Sequence, residues 1–146
     1  AAAVFKAGDI ARQPITVVAE HADRGARAAL KLLQDQDRDH AYVVSPTHSY
    51  LGVVSADSLR TALQGHVGAL GLAHAYLPGV QPIIEDEPVS ELIGRVAQAS
   101  HAIPVVAPGG HFRGAISKNT LLRFLDRDTP PIEPAATAEA ANATTL

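Results

Sequence analysis

The chain has 146 residues, 47% of them apolar, enough for one compact domain but too few for two halves of about 60 residues to be stable separately. Its net charge of -3, with Lys and Arg scattered among acids, supplies no basic field for nucleic acid, and no apolar run approaches the 18 or more residues of a membrane-spanning helix. With no cysteine there are no disulfides and no thiolate chemistry, and the absence of methionine leads us to expect a piece of a longer protein.

A short helical entry is predicted around residues 6–12, and the β-branched run 15–18, beginning just after Pro14, reads as the first strand. Ala26, Ala29, Leu30 and Leu33 then fall at i, i+3, i+4 and i+7, one apolar stripe of a helix that ends in the acid-rich stretch 34–39. Residues 41–44 and 50–55 flank the turn Ser45-Pro46-Thr47-His48 as a hairpin, after which Leu59, Ala62 and Leu63 open a second helix. The Ala-, Gly- and Leu-rich residues 66–78 form a linker with room for a short helix. Residues 80–84 supply the next strand. Pro88 suits a first helical turn, and Val89, Leu92, Ile93, Val96 and Ala97 give that helix its apolar stripe. Strands 103–106 and 112–117 around Pro108-Gly109-Gly110, and a helix through 121–125, complete the pattern. Residues 129–146 are rich in Pro, Ala and Thr and are expected to form a mobile tail.

Residues 39–63 recur without a gap as residues 101–125. Val43/Val105, Val44/Val106, Pro46/Pro108, Gly52/Gly114, Ser55/Ser117, Leu59/Leu121 and Leu63/Leu125 are identical, where composition alone gives roughly two matches by chance. The order β-α-β-β-α therefore occurs twice.

The motifs Ala41-Tyr42-Val43-Val44 with Gly52-Val53-Val54-Ser55, and Ile103-Pro104-Val105-Val106 with Gly114-Ala115-Ile116-Ser117, resemble those of a tandem pair of CBS domains, over roughly residues 10–126. Segments 27–35, 52–59 and 116–123, with the lead-in 4–12, are similar to the C-terminal CBS region of the ATPase subunit of glycine betaine/proline ABC importers. The resemblance implies an α/β (α+β) fold of two pseudo-symmetric β-α-β-β-α units packed as one Bateman module. It divides the chain into a lead-in from an upstream domain (1–12), a first CBS unit (13–65), a linker (66–78), a second CBS unit (79–128) and a tail (129–146). It further implies a regulatory module that senses ionic strength or a nucleotide. Its partners would be a second copy, as a homodimer through the CBS pairs, the ATPase domain of the same chain, and the importer's membrane subunit. Its place would be the cytoplasm, peripheral to the inner face of the cell membrane. Two other functions fit the pattern: an adenine-nucleotide sensor joined to a different output domain, and a structural dimerisation scaffold.

Ser55 and Ser117 each stand at a strand end just before a helix, where a hydroxyl caps free N–H groups and the same terminus suits a phosphate. In CBS pairs that bind adenosine nucleotides an aspartate three residues later holds the ribose; here those positions are Ser58 and Thr120. The resemblance thus implies Ser55, Ser58, Ser117 and Thr120 as phosphate and ribose candidates, with Tyr42 and Ile103 near the base, for AMP, ATP or cyclic di-AMP. Asp57 and Asn119 come one residue earlier, about 100° around the helix, and are expected to cap it. There is no Gly-x-x-x-x-Gly-Lys-Ser/Thr loop and no Gly-x-Ser-x-Gly elbow, so no ATP hydrolysis or other catalysis is expected of this piece, although the parent subunit would hydrolyse ATP. His21, His40, His48, His66, His74, His101 and His111 show no metal-ligand spacing and read as solvated loop histidines. Asp35, Asp37 and Asp39 read as a solvated helix end, with screening of exposed charge as an alternative role.

Overall fold

The computed structural model describes residues 5–18, 25–65 and 72–128. The expected tail, His21, His66 and the first part of the linker lie outside the described residues.

The first unit runs β1 (Thr16–Val18), α2 (Gly25–Gln36), β2 (His40–Val44), β3 (Tyr50–Ser55) and α3 (Ala56–Gln64), preceded by α1 (Ala7–Ile10). The second runs β4 (Ile83–Ile84), α4 (Ile93–Gln98), β5 (Ile103–Val106), β6 (Phe112–Ile116) and α5 (Lys118–Asp128). Each unit is a three-stranded sheet with its middle strand second in the chain: parallel to the first strand and antiparallel to the third. Even the register shift recurs at one repeat position, Val43/Val44 and Val105/Val106.

Period-two alternation assigns each strand residue to a layer. Ala41, Val43 and Val54 face the helices with Ala26, Ala29, Leu33 and Leu59, while Ile103, Val105 and Ile116 do the same with Leu92, Val96 and Leu121. The residues between them point the other way. Tyr42, Val44 and Val53 from one sheet and Phe112 and Ala115 from the other form a third core between the two units. Complete burial of one such large side chain contributes about 1.5–3 kcal/mol, and this core exists only when both units are present.

The hairpin tips are also tied together. The Tyr50 N–H donates to the Gly110 carbonyl at 2.9 Å, and the Phe112 N–H donates to the His48 carbonyl at 2.9 Å. One bond becomes the other when the two copies are exchanged, so a pseudo-twofold axis passes between them.

The short helices cross over. α1 precedes the first unit but buries Ala7 and Ile10 in the core of the second, with Ala7 N–H bonded to Glu87 O at 2.8 Å and Gly8 N–H to Glu85 O at 2.9 Å. Arg12 and Ala115 then exchange both backbone bonds, at 2.9 and 2.8 Å. Symmetrically, a 3-10 turn at Leu72–Ala75, in the expected linker, precedes the second unit but buries Leu72 and Ala75 in the core of the first, and Leu77 N–H bonds Val53 O at 2.8 Å.

The second unit departs from expectation in two places. Only Ile83–Ile84 of the run 80–84 is strand, because Pro82 has no N–H for a ladder and Gly79 turns the chain at φ +73. Ile93 and Ala97 are exposed rather than part of the buried stripe. The helix begins as a tighter 3-10 turn at Val89–Glu91, with Pro88 just outside it, which leaves Val89, Leu92 and Val96 as the inward set.

Candidate functional site

The repeated strand-to-helix turns are closed by their own hydroxyls. Ser55 Oγ accepts from Ser58 N–H at 2.9 Å, and Ser58 Oγ in return accepts from Ser55 N–H at 2.9 Å, a reciprocal capping box. In the second copy Ser117 Oγ accepts from Thr120 N–H at 3.1 Å and lies 3.0 Å from Thr120 Oγ1. Ser58 and Thr120 occupy the third helical position, whose side chain points back at the cap. That geometry corrects the expectation for Asp57 and Asn119. Asp57 is turned outward and paired with Arg60 at 3.1 Å, and Asn119 is exposed. Replacing Ser55 by Ala is expected to cost about 1 kcal/mol in a urea titration; an unchanged midpoint would show that the cap carries no stability.

Tyr42 is buried, with its hydroxyl donating to the Ala102 carbonyl and its ring stacked on Phe112 at a centroid distance of 5.9 Å. Burial, with a smaller contribution from Tyr50, pushes its phenol well above the ordinary range, so it remains a neutral donor. Ile103 is in the core of the second unit. The eight sequence candidates therefore do not converge on one cavity. Tyr42 and Thr120 reach cavities, but different ones.

One cavity, of about 550 Å³, lies where β1 and β2 begin, and is walled by Asp37, Arg38, Asp39, His40, Tyr42 and His101. His40 and His101 come from different units and their rings meet at 4.8 Å. His40 is thus a partly buried strand residue and not a solvated loop histidine. His48 and His111 form a second cross-unit pair at 5.2 Å. Burial, and then the neighbouring His101, lower the His40 pKa below 6.5, while Asp39 opposes them. A histidine depressed in the folded state stabilises fully above its unfolded value, and that contribution is lost as pH falls from about 6.5 towards the folded value. Melting temperature should therefore fall between about pH 7.5 and about pH 5.5, and less steeply in His40→Gln; equal slopes would remove His40 from the cause.

A second cavity, of about 480 Å³, opens between α1 and α5 and is lined by Phe5, Asp9, Ile10, Arg12, Thr120, Arg123 and Phe124. Phe5 and Phe124 meet edge to face at 5.0 Å. Both volumes fall in the range of about 300–1,000 Å³ typical of small-molecule sites. The arginines and phenylalanines of this cavity were not among the sequence candidates, because residues at opposite ends of the chain meet only through the crossing of α1. Among the described residues there is no group of three or more His, Asp or Glu side chains arranged to hold a metal ion.

No family model matches the chain. Over 126 residues, 86% of its length, it is 42% identical to the glycine betaine/proline betaine transport system ATP-binding protein ProV of Salmonella typhimurium, and 43% identical to that of Escherichia coli. The chain spans 31% of the length of each of these relatives. Among solved structures, Staphylococcus aureus OpuCA superposes with a TM-score of 0.67 at 16% identity, covering 81% of this chain and 97% of that one. The CBS domain pair of protein MJ0100, in complex with 5-methylthioadenosine and S-adenosyl-L-methionine, gives 0.62 at 19%, covering 87% and 100%. CBSX2 in complex with AMP gives 0.66 at 19%, covering 84% and 97%.

Proposed function

We infer that this chain, a tandem CBS domain pair in fold, is the regulatory module of the ATP-binding subunit of a glycine betaine/L-proline importer, where it biases transport in response to ionic strength or a bound adenine nucleotide. The 42% identity with part of ProV, sustained over 86% of the chain, carries this reading. The sequence holds no Gly-x-x-x-x-Gly-Lys-Ser/Thr loop; the ATPase domain would precede the module, and the assembly would work at the cytoplasmic face of the membrane beside the importer's membrane subunit. Among the described residues no helix is long and apolar enough to cross a membrane.

Control of this kind needs two states whose balance a signal shifts by about 1–3 kcal/mol. The junction between the two units has the right construction: it holds a shared apolar core, paired histidines and two crossed segments. Ile93 on α4 and Leu122 on α5 stay exposed, at 41% and 63%, and would be covered by a second module in a homodimer. The adenine-ligand reading is favoured by the relatives of this fold solved with AMP or adenosyl ligands.

The test is betaine uptake by the reconstituted parent importer, intact and without the module, over a salt series. Loss of the salt response on deletion is the expected result. An unchanged response would overturn the sensor function, and an unchanged response with impaired subunit pairing would leave a scaffold.

A further inference from the structure

We propose that the junction between the two units is a proton-sensitive latch: neutral histidine pairs, His40/His101 and His48/His111, hold its two ends closed, and their protonation as pH falls below neutral loosens it. This adds a signal to salt and nucleotide, and it is a property of the chain that does not depend on the importer.

Four of the five histidines among the described residues meet across this junction, at ring-centroid distances of 4.8 and 5.2 Å; the fifth, His74, is exposed. One pair stands where β2 and β5 begin and the other at the hairpin tips beyond their ends. The shared apolar core of Tyr42, Val44, Val53, Phe112 and Ala115 lies between them. Duplication does not account for the pairs. In the 62-residue repeat His40 and His48 correspond to Ala102 and Gly110, while His101 and His111 correspond to Asp39 and Ser49. No histidine repeats another, yet each of the four meets one from the opposite unit.

His48 carries an independent sign. Its φ is +68, a left-handed conformation that strains a side chain, and the second copy meets the same turn with Gly110 at φ +98. The imidazole is kept despite that strain, against His111 and edge to face with Phe112 at 5.8 Å. Its carbonyl accepts the Phe112 N–H, one of the two backbone bonds that join the tips. Backbone strain of this kind clusters at switch regions.

Charge sets the direction. Two imidazolium ions at contact distance repel, and each must give up water beside an apolar core. Burial and then His101 oppose a proton on His40, and Asp39 favours it; Asp37 and Arg38 share that cavity, and the Tyr42 hydroxyl is committed to the Ala102 carbonyl. At the tips, residues 45–50 and 107–112 contain no Asp, Glu, Lys or Arg, and Tyr50 is the other titratable group. Arg113, next along β6, is paired with Glu85 at 3.1 Å. Among the described residues none of the four rings is in an ion pair. Parting the rings therefore favours protons, and each proton taken up on opening raises the open population by up to about tenfold per pH unit below about 6.5.

Amide hydrogen exchange of the 146-residue chain at about pH 7.5 and about pH 5.5, each rate divided by the intrinsic rate at that pH, tests this. The Tyr50 and Phe112 amides are bonded across the junction to Gly110 and His48, and the Glu85 and Val96 amides within the second unit to Val106 and Leu92. On acidification the first two should lose protection at least about tenfold more than the second two. His48→Asn, which keeps a residue tolerant of positive φ, should cut that excess at least about threefold, and adding His101→Gln should abolish it. Equal losses at all four amides of the intact chain would mean that acid unfolds the chain as one, and an excess undiminished in both variants would take it away from the histidines. Either result overturns the latch, and neither bears on the salt response of uptake.

Discussion

Replacing Phe112 by Ala should lower the unfolding free energy by about 3–5 kcal/mol, the usual cost of removing a large buried ring. Phe112 is 2% exposed and lies between the two units, with Tyr42 at 5.9 Å, Tyr50 at 6.3 Å and His48 at 5.8 Å. The ring is held between two tyrosines and an imidazole of the first unit, so its removal leaves a void at the junction itself. Out of a total of about 5–15 kcal/mol for a domain, such a loss is a large part of the margin. Urea denaturation of the two proteins measures it. Leu51→Ala, at a position 42% exposed, should change stability by about 0.5 kcal/mol or less. Similar midpoints for Phe112→Ala and Leu51→Ala would mean that the units do not depend on their shared core.

How far this arrangement is legible in the sequence varies with the range of the interactions. The 62-residue repeat carries the hairpins, because strand alternation repeats residue by residue and Val43/Val105 must face the same layer. The serine caps are equally local, needing only a hydroxyl at the strand end and another three residues on. The crossing of the two short segments is not legible, although each segment is. Ala7–Ile10 and Leu72–Ala75 share no identical residue, and they lie 65 rather than 62 apart, so an ungapped repeat never aligns them. What they have in common is shape: four residues whose first and last are buried on the opposite unit. Arg12 and Arg123 belong to the same blind region, since their meeting depends on that crossing. Ile93 failed for a different reason, because periodicity assumes 3.6 residues per turn from the first turn onward, and here the helix starts with three.

Gly114→Ala should be the most damaging change of a single methyl group, costing about 2–4 kcal/mol from backbone strain and overpacking together. Gly114 has φ +144, a conformation that side chains resist, and a Cβ there would lie 2.8 Å from the Arg12 carbonyl oxygen. That oxygen accepts the Ala115 N–H at 2.8 Å, so a methyl group would pry the α1 lead-in away from β6 and expose Ala7 and Ile10. The identical glycine of the first copy, Gly52, does a related job: a Cβ there would meet the Tyr76 ring at 2.7 Å, beside the Leu77 bond to Val53. The glycine pair is thus explained by close approach of the crossed segments rather than by the hairpins in which it lies. Gly110→Ala offers the comparison, since its φ is +98 but no atom lies within 4 Å of a Cβ; it should cost only the strain, about 1–2 kcal/mol. Thermal melting and hydrogen exchange of the three proteins separate the cases. Gly114→Ala should release protection at Ala7, Gly8 and Arg12 as well as lowering the melting temperature, whereas Gly110→Ala should leave those amides protected. Equal protection in both variants would show that α1 is held by its buried side chains alone, and that Gly114 matters only for the conformation of β6.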